Sequence, residues 1–417
     1  MHQNKPLLEV QITLLSLCIV DYFHYLCTQI RTLIGDMRNR MILVALALFP
    51  LMALAEGEGS KTSQNAIVKG VMWVKTLIDS MAVANVDRSY IEQPERPWAV
   101  EVRSAASQST LKMNADWSFE GLMDGWMTTK TDNGFSASLG AWLGYRGYGF
   151  GWSKELKGGD GSTLSFGAMG GSFGINLRIN TYRSRTPDIY AYFGGTEAAA
   201  PIVEHADLED PIRVRSLFLD GYYLFNGKHF SYAAAYDQSL IQRRSAGSLI
   251  AGLMYYHSTV AFDEDSNWPL VVLMRNVGKL KFTQANVGAG YAYNWVPARG
   301  WLVSAQAMPM VTFYNRMKTY FYDIHNSQGT SIYRKMMDDP DYNPEESNDR
   351  WVMDEVEKVK TTNRVSWNFD ARMSVVYNWS NCYLRVYGHY NRFRYSNDEG
   401  DGRQTDWTAY ASLGIRF

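Results

Sequence analysis

Cysteine is scarce in this chain of 417 residues, which contains only Cys18, Cys27 and Cys382. The first two lie upstream of a predicted signal-peptide cleavage site, so a mature chain would retain one thiol. A single thiol cannot form an internal disulfide, which excludes a disulfide-stabilised scaffold. The sequence also lacks the paired Cys and His spacing of zinc sites.

Neither sign of charge is in excess, because 41 Lys and Arg residues face 42 Asp and Glu residues. Proteins that bind nucleic acid carry clustered positive charge, so we predict no nucleic-acid partner. The sequence contains no H-E-x-x-H and no P-loop motif. It therefore predicts no catalytic residue, no cofactor and no metal site.

Long apolar runs are also missing, and the clearest short one is Met41–Met52. Arg38 and Arg40 precede this run, and Ala53-Leu54-Ala55 follows it as a cleavage motif. These are the three parts of a secretory signal peptide, which we assign to residues 37–55. The run is too short for a membrane-spanning helix, which needs about 20 residues.

Residues 1–36 have two interpretations. Met37 is well placed to start the signal peptide, so residues 1–36 would be an untranslated extension that results from a wrong start. Alternatively they form a genuine extension with an apolar stretch at 12–20. Residues 56–97 are predicted to be a periplasmic N-terminal segment, in which 66–81 is either a short helix with one apolar face or a loosely ordered leader.

Tyr, Trp and Gly are abundant, with 27, 13 and 34 residues, and apolar residues alternate with small or polar ones from Trp98 onward. In TDWTAYASLGIRF, every second residue from Trp407 to Phe417 is apolar. The alternating segments run for about ten to fifteen residues, longer than strands of soluble proteins and suitable for crossing a bilayer. We therefore predict an all-β protein: a transmembrane antiparallel up-and-down β-barrel over residues 98–417, with a short N-terminal helix.

The predicted barrel has about twelve strands. This count treats 163–181 as one strand with a bulge near Gly170-Gly171, although a hairpin there explains the change of apolar parity equally well. It also counts 230–237 as a strand, which puts the turn at Asn226-Gly227 on the outside. Short turns on one side and long loops on the other are typical of such barrels, and the long loops here are 114–134, 263–280 and 315–363.

Parity places a set of charged residues inside the predicted lumen. They could form a constriction that selects ions or small solutes. They could instead be a structural ion-pair network, because a small barrel fills its interior with side chains. The candidate residues are Asp220, Asp370, Arg372, Arg385 and His389.

Three other features have a functional and a structural interpretation. His257 beside Ser258 could serve a lipid-modifying enzyme, or it could be an interfacial histidine in an aromatic girdle. Arg243 and Arg244 could bind phosphate or lipid headgroups, or they could belong to a solvated turn. The acidic stretch 338–350 could bind a divalent cation, but it lacks EF-hand spacing and is also typical of a solvated loop.

Three stretches resemble a known family. They are FLDGYYLFNGKHFSYAAAYDQSLIQRRSAGSLIAGLMYYHS (218–258), NVGAGYAYNWVPARGWLVSAQAMPMVTF (286–313) and VDRSYIEQP (86–94), and QRRSAGS (242–248) is the most distinctive part. They resemble the domain of unknown function 4421 family, a set of predicted outer-membrane β-barrels. The resemblance implies a barrel in the outer membrane of a Gram-negative bacterium and implies no activity.

We predict passive passage or binding of a small solute in the lumen. The alternatives are a lipid-modifying barrel enzyme and a structural or surface-interaction protein that acts through its long loops. The expected partners are outer-membrane lipid, lipopolysaccharide and the barrel-assembly machinery. Phe417 resembles the C-terminal signal that this machinery reads.

Overall fold

The computed structural model describes residues 86–417 except 120–122, 133–134, 158–159, 187, 194–201, 206, 340–341, 345, 348, 363 and 397–399. The predicted signal peptide and the predicted helix at 66–81 lie outside the described residues. None of the helices in the described part of the chain is long and apolar enough to cross a membrane.

The described strands are numbered β1 to β18 in chain order, and twelve of them form a closed antiparallel barrel. The barrel is closed by β18, which pairs with β2 from Arg416–Ala99 to Gly400–Ala115. Around the ring the strands are β2 (Trp98–Phe119), β4 (Ser136–Tyr145), β5 (Tyr148–Lys157), β6 (Ser162–Met169), β7 (Phe173–Ser184), β10 (Ile212–Leu224), β12 (Ala246–Ala261), β13 (Val277–Trp295), β14 (Trp301–Asn326), β16 (Trp367–Trp379), β17 (Cys382–Ser396) and β18 (Gly400–Arg416).

One end of the barrel, here named the turn end, carries tight connections such as Arg146-Gly147 and Ser380-Asn381. The opposite end, named the loop end, carries the longer connections and four strands that extend the sheet. These are β3 (Met123–Asp132), β8 (Asp188–Phe193) and β9 (Ile202–His205), which continue from β2, and β15 (Trp351–Thr362), which pairs with β14. Two short helices, α2 (Trp268–Leu273) and α3 (Ile332–Asp338), also lie there.

The outward face of the barrel is apolar, as the two-residue periodicity predicts. Apolar outward residues such as Leu253, Val287 and Leu413 are exposed over about half of their surface. Exposed aromatic residues flank this apolar belt near both ends. Those toward the turn end include Trp98, Trp295, Trp301, Tyr377, Trp379 and Phe417, and those toward the loop end include Phe135, Tyr255, Phe313, Tyr314 and Trp367.

The predicted number of strands is confirmed, but two errors cancelled in the count. Residues 163–181 form two strands, β6 and β7, joined by a hairpin at Gly170–Ser172, and no bulge is needed. Residues 230–237 form no strand and instead contain the short helix α1 (Ala233–Tyr236). As a result β10 runs toward the turn end, and Asn226-Gly227 lies there rather than at the loop end.

The connection between β10 and β12, residues 225–245, folds into the turn end of the lumen and is named the plug segment. All four residues of α1 are buried, and Phe230 and Leu240 on either side are 0% and 2% exposed. The barrel wall binds the backbone of the segment: the Asn294 side chain donates to the Ser231 carbonyl at 2.8 Å, and Arg416 Nε donates to the Gln238 carbonyl at 3.0 Å. The turn end of the barrel is therefore packed.

The N-terminal part of the described chain packs against the plug segment. Strand β1 (Ile91–Glu92) pairs with β11 (Ile241–Gln242), which belongs to the plug segment. Ile91 is 1% exposed and packs in the same core as α1. Two of the stretches that carry the family resemblance, 86–94 and 242–248, are therefore in direct contact.

Inward-facing glycines make room for large side chains in the lumen. A Cβ on Gly149 or Gly151 would come within 2.7 Å of the Trp142 ring, and Trp142 is 6% exposed. The Arg103 guanidinium lies 4.1 Å above the same ring, a cation–π contact. Sequence parity alone does not reveal this packing, because a glycine gives no apolar signal to either face.

Candidate functional site

A cavity of about 280 Å³ occupies the loop-end half of the lumen. Its floor is formed by Phe218, His389 and Asn391, and its roof by Leu270 and Met274 around α2. One wall is rich in hydroxyl groups, and the opposite wall is apolar. The hydroxyl wall includes Ser107, Ser109, Ser136, Ser138, Ser153 and Thr163, and the apolar wall includes Ile212, Val214, Val260, Phe262, Leu280 and Phe282.

Three buried oxygen atoms in the lining of this cavity have no hydrogen-bond partner among the described residues. They are Glu155 Oε1, Asn180 Oδ1 and Asn391 Oδ1. Buried acceptors in folded proteins are nearly always paired with protein or ordered water. The arrangement is therefore suited to a molecule that donates hydrogen bonds.

Four of the five predicted lumen residues meet in one network under the cavity. Arg372 contacts Asp220 at 3.0 Å and Asp370 at 3.3 Å, and His389 Nε2 lies 2.8 Å from Asp370. Arg178 completes the network, with Nη1 3.3 Å from His389 Nδ1. Since β10 and β16 lie on different sides of the ring, the contacts of this central charged network cross the lumen.

The charges of the network are matched. Two guanidinium groups, those of Arg178 and Arg372, face two carboxylates, those of Asp220 and Asp370. Asn176 and Gln306 donate further hydrogen bonds to these carboxylates at 2.9 and 2.8 Å. This geometry resembles the structural ion-pair alternative more than a charged constriction with free charge.

Arg385, the fifth predicted residue, lies apart in a basal charged cluster nearer the turn end. Its Nη2 is 2.8 Å from Glu101 Oε2, and it also donates to the Tyr236 carbonyl of the plug segment. Arg103 and Tyr383 hydrogen-bond to the same Glu101 carboxylate at 2.6 and 2.8 Å. The cluster therefore joins the barrel wall to the plug segment.

The sequence interpretation missed several residues at these sites. Glu101 and Arg103 alternate with the outward-facing Val100 and Val102, so parity places both inside. Asn180 and Asn391 follow the same rule on β7 and β17. Asn180 and Asn391 carry no charge, so a search for charged inward residues does not find them.

His257 and Ser258 do not form a nucleophile–base pair. Consecutive residues of a strand point to opposite faces, and Ser258 lines the cavity while His257 bonds Thr283 Oγ1 at 2.9 Å on the outer face. The structural interpretation of His257 therefore fits better. Arg243 pairs with Glu92, and Arg244 lies 5.6 Å from the Tyr90 ring, so both contact residues 90–92.

The acidic stretch 338–350 is partly described. Within it, Asp349 pairs with Lys335 of α3 and accepts a hydrogen bond from Tyr342 at 2.6 Å. The hydrogen bond from Lys335 holds the pKa of Asp349 below its usual value. In the described part of the chain, no group of three or more His, Cys, Asp or Glu residues could hold a metal ion.

His325 lies at the loop end, where β14 projects past the end of β13. A hydrogen bond to Asp354 at 2.9 Å raises the pKa of His325 above 6.5. The contact therefore stabilises the loop end at pH values below 6.5 and is lost as pH rises through the raised pKa. We expect NMR titration of the imidazole to show this pKa in the wild-type protein and a lower one in Asp354→Asn. An unchanged pKa in the variant would contradict the assigned partner.

Three solved structures show the distant similarities of the fold. The outer membrane protease OmpT from Escherichia coli is 9% identical with a TM-score of 0.34, over 77% of this chain and 97% of that chain. The translocator domain of the autotransporter NalP from Neisseria meningitidis is 10% identical with a TM-score of 0.29, over 85% and 97%. The outer membrane protein OprG from Pseudomonas aeruginosa is 12% identical with a TM-score of 0.25, over 78% and 99%. Similarities this distant say nothing about activity.

No curated protein is similar to the chain in sequence. The family described as "Domain of unknown function (DUF4421)" matches residues 86–413, from the segment that leads into β1 to the closing strand. This range contains nearly all of the barrel, the plug segment, the central charged network and the basal charged cluster. The chain therefore belongs to the domain of unknown function 4421 family, as the three stretches of sequence predicted.

Proposed function

We propose that the protein is an outer-membrane barrel that binds a small hydroxylated solute in the loop-end half of its lumen. The exposed apolar belt between two sets of aromatic residues supports the membrane placement, because lipid favours such a surface and water does not. Barrels of this class have short periplasmic turns and longer outer loops, so we propose that the loop end faces the outside and the turn end faces the periplasm.

Binding is favoured over free passage by one observation: the lumen is packed at the turn end and leaves a cavity in the other half. The plug segment fills the base with Phe230, Tyr232 and α1, all buried. The central charged network then crosses the lumen above it. A solute that enters from the loop end meets the cavity first and a packed floor second.

The lining of the cavity indicates the kind of solute. The unpaired oxygens of Glu155, Asn180 and Asn391 require hydrogen-bond donors, such as hydroxyl groups. The apolar wall opposite them favours a ligand with a carbon-rich face. A volume of about 280 Å³ suits a solute built on a single ring.

A planar-bilayer recording tests the closed lumen. We expect refolded protein, shown to be folded by its heat-modifiable gel mobility, to give no stable conductance steps. The physical reason is that the buried plug segment and the central charged network fill the lumen below the cavity. Stable, ion-selective steps from the folded protein would overturn the proposal and restore passage as the function.

Titration with defined solutes tests the site. We expect glucose, inositol or catechol to bind the wild-type protein in ligand-observed NMR, and Asn180→Leu/Asn391→Leu to lose at least tenfold in affinity. Each lost hydrogen bond is worth about 1 kcal/mol, and 1.4 kcal/mol is a factor of ten. Asn381→Leu, the same change at the turn end, is the control. The proposed ligand class would be refuted if the wild type and the double variant bound with equal affinity. It would also be refuted if none of the three solutes bound.

A further inference from the structure

Three lysines lie side by side on the outward face of the barrel near the loop end. Lys281 on β13 is directly opposite Lys318 on β14, and Lys318 is directly opposite Lys360 on β15. Side chains of directly opposed residues point to the same face, with Cβ atoms about 5 Å apart. The three ammonium groups thus form a row across three strands, here named the lysine row.

More positive charge surrounds this row. The Nζ atoms of Lys279, Lys281 and Lys358 lie 5.5, 5.1 and 5.0 Å from the ring centre of Tyr320. Three cations therefore surround one aromatic ring.

The carboxylates that would balance such a patch are largely absent from it. Among the described residues, Lys279 pairs with Asp263 at 2.8 Å, but no carboxylate pairs with Lys281, Lys318, Lys358 or Lys360. Directly opposed like charges destabilise a sheet. An external anion that bridges the lysines would remove this repulsion.

The patch adjoins the apolar belt. Two residue pairs further from the loop end, Arg316 follows on β14 and lies with its guanidinium 5.0 Å from the Tyr314 ring. Tyr314 is 38% exposed, and Phe313 next to it is 62% exposed. An anion held by the lysines would therefore have an exposed apolar surface directly beside it, on the side toward the middle of the membrane.

We propose that the lysine row, with Lys279, Lys358 and Arg316, binds the phosphate groups of a phosphorylated glycolipid in the outer leaflet. Charge complementarity accounts for the phosphate, and the neighbouring apolar belt accounts for the acyl chains. A soluble anion would use only the first of these features. The proposal rests on the outer-membrane placement but not on the solute-binding cavity.

The test compares two variants that each remove three positive charges. Purified wild-type protein, Lys281→Gln/Lys318→Gln/Lys360→Gln and the control Lys154→Gln/Lys157→Gln/Lys228→Gln are titrated with lipid A in detergent, and bound lipid is counted by native mass spectrometry. Each basic residue near a charged lipid surface contributes an attraction that, summed over three lysines, is on the order of tenfold to a hundredfold in affinity. We expect this loss in the first variant and less than a threefold change in the control.

Two further ligands identify what is recognised. Dephosphorylated lipid A should bind weakly and equally to all three proteins, and inorganic phosphate at millimolar concentration should not displace lipid A. Equal lipid A binding by the lysine-row variant and the wild type would overturn the proposal. Full displacement by inorganic phosphate would overturn the assignment to a lipid. Heat-modifiable mobility verifies that each variant is folded, and the solute titration with glucose, inositol or catechol reports separately on the cavity.

Discussion

Glu101→Leu is expected to destabilise the folded barrel by about 3–5 kcal/mol, the usual cost of leaving a buried charge without its partner. The Glu101 side chain is fully buried and is the only carboxylate in the described structure that pairs with Arg385, which is 1% exposed. The same substitution also removes the acceptor of Arg103 and Tyr383. Urea-induced unfolding from lipid vesicles, followed by Trp fluorescence, measures the change in the free energy of unfolding.

Two variants distinguish loss of the buried pair from loss of any acidic residue. Glu92→Leu removes the partner of Arg243 at the surface, where both side chains are more than one third exposed, and should cost less than about 1 kcal/mol. Glu101→Leu combined with Arg103→Met and Arg385→Met should recover much of the lost stability, since apolar side chains of similar size can replace a buried ion cluster. A cost below about 1 kcal/mol for Glu101→Leu alone would show that water reaches the cluster.

Gly174→Ala should also be strongly destabilising, although it adds a single methyl group. Its Cβ would lie 2.1–2.2 Å from three atoms of Tyr222. The Tyr222 ring has little freedom to move, because it is 6% exposed and its centroid is 4.0 Å from that of Tyr232 in the plug segment. Overpacking of this kind costs about 1–3 kcal/mol, measurable in the same urea experiment.

Gly388→Ala is the matched control on β17. The nearest atom to its Cβ would be the Thr408 carbonyl oxygen at 4.0 Å, so the added methyl group meets ordinary contact distances. We expect a change within about 0.5 kcal/mol for Gly388→Ala, and partial rescue of Gly174→Ala by Tyr222→Leu. Similar costs at both glycines would mean that strand geometry, and not contact with Tyr222, decides the effect.

Much of the barrel could be predicted from the sequence because lipid imposes a simple rule on the outward face. Leu253, Val287 and Leu413 are examples of exposed apolar residues that the two-residue period places on this face. The interior follows no such rule, since it must be filled by whichever side chains fit. The plug segment illustrates this: FSYAAAY contains one polar residue, Ser231, and its three consecutive alanines favour a helix.

The charged sites show the same division. Parity predicts an inward position for Asp220, Asp370, Arg372 and His389, and in the structure these four residues are buried and in contact with one another. Parity could not predict which strands face each other across the lumen, so Arg385 was grouped with a network that it does not contact. That information depends on the circular order of the strands, which is a property of the closed barrel.

The position of the plug segment in the chain constrains the order of assembly. The segment connects β10 to β12, two neighbouring strands in the middle of the ring, and its helix is buried inside. Strand β1, which pairs with it, comes immediately before β2, and β2 forms the closing seam with β18. The seam joins β2 and β18, the first and last strands of the barrel in the sequence. Because closing so long a loop of chain costs entropy, we expect the seam to form slowly and late. Packing of the plug segment against β10 and β12, its neighbours in the chain, is therefore expected to precede closure of the seam.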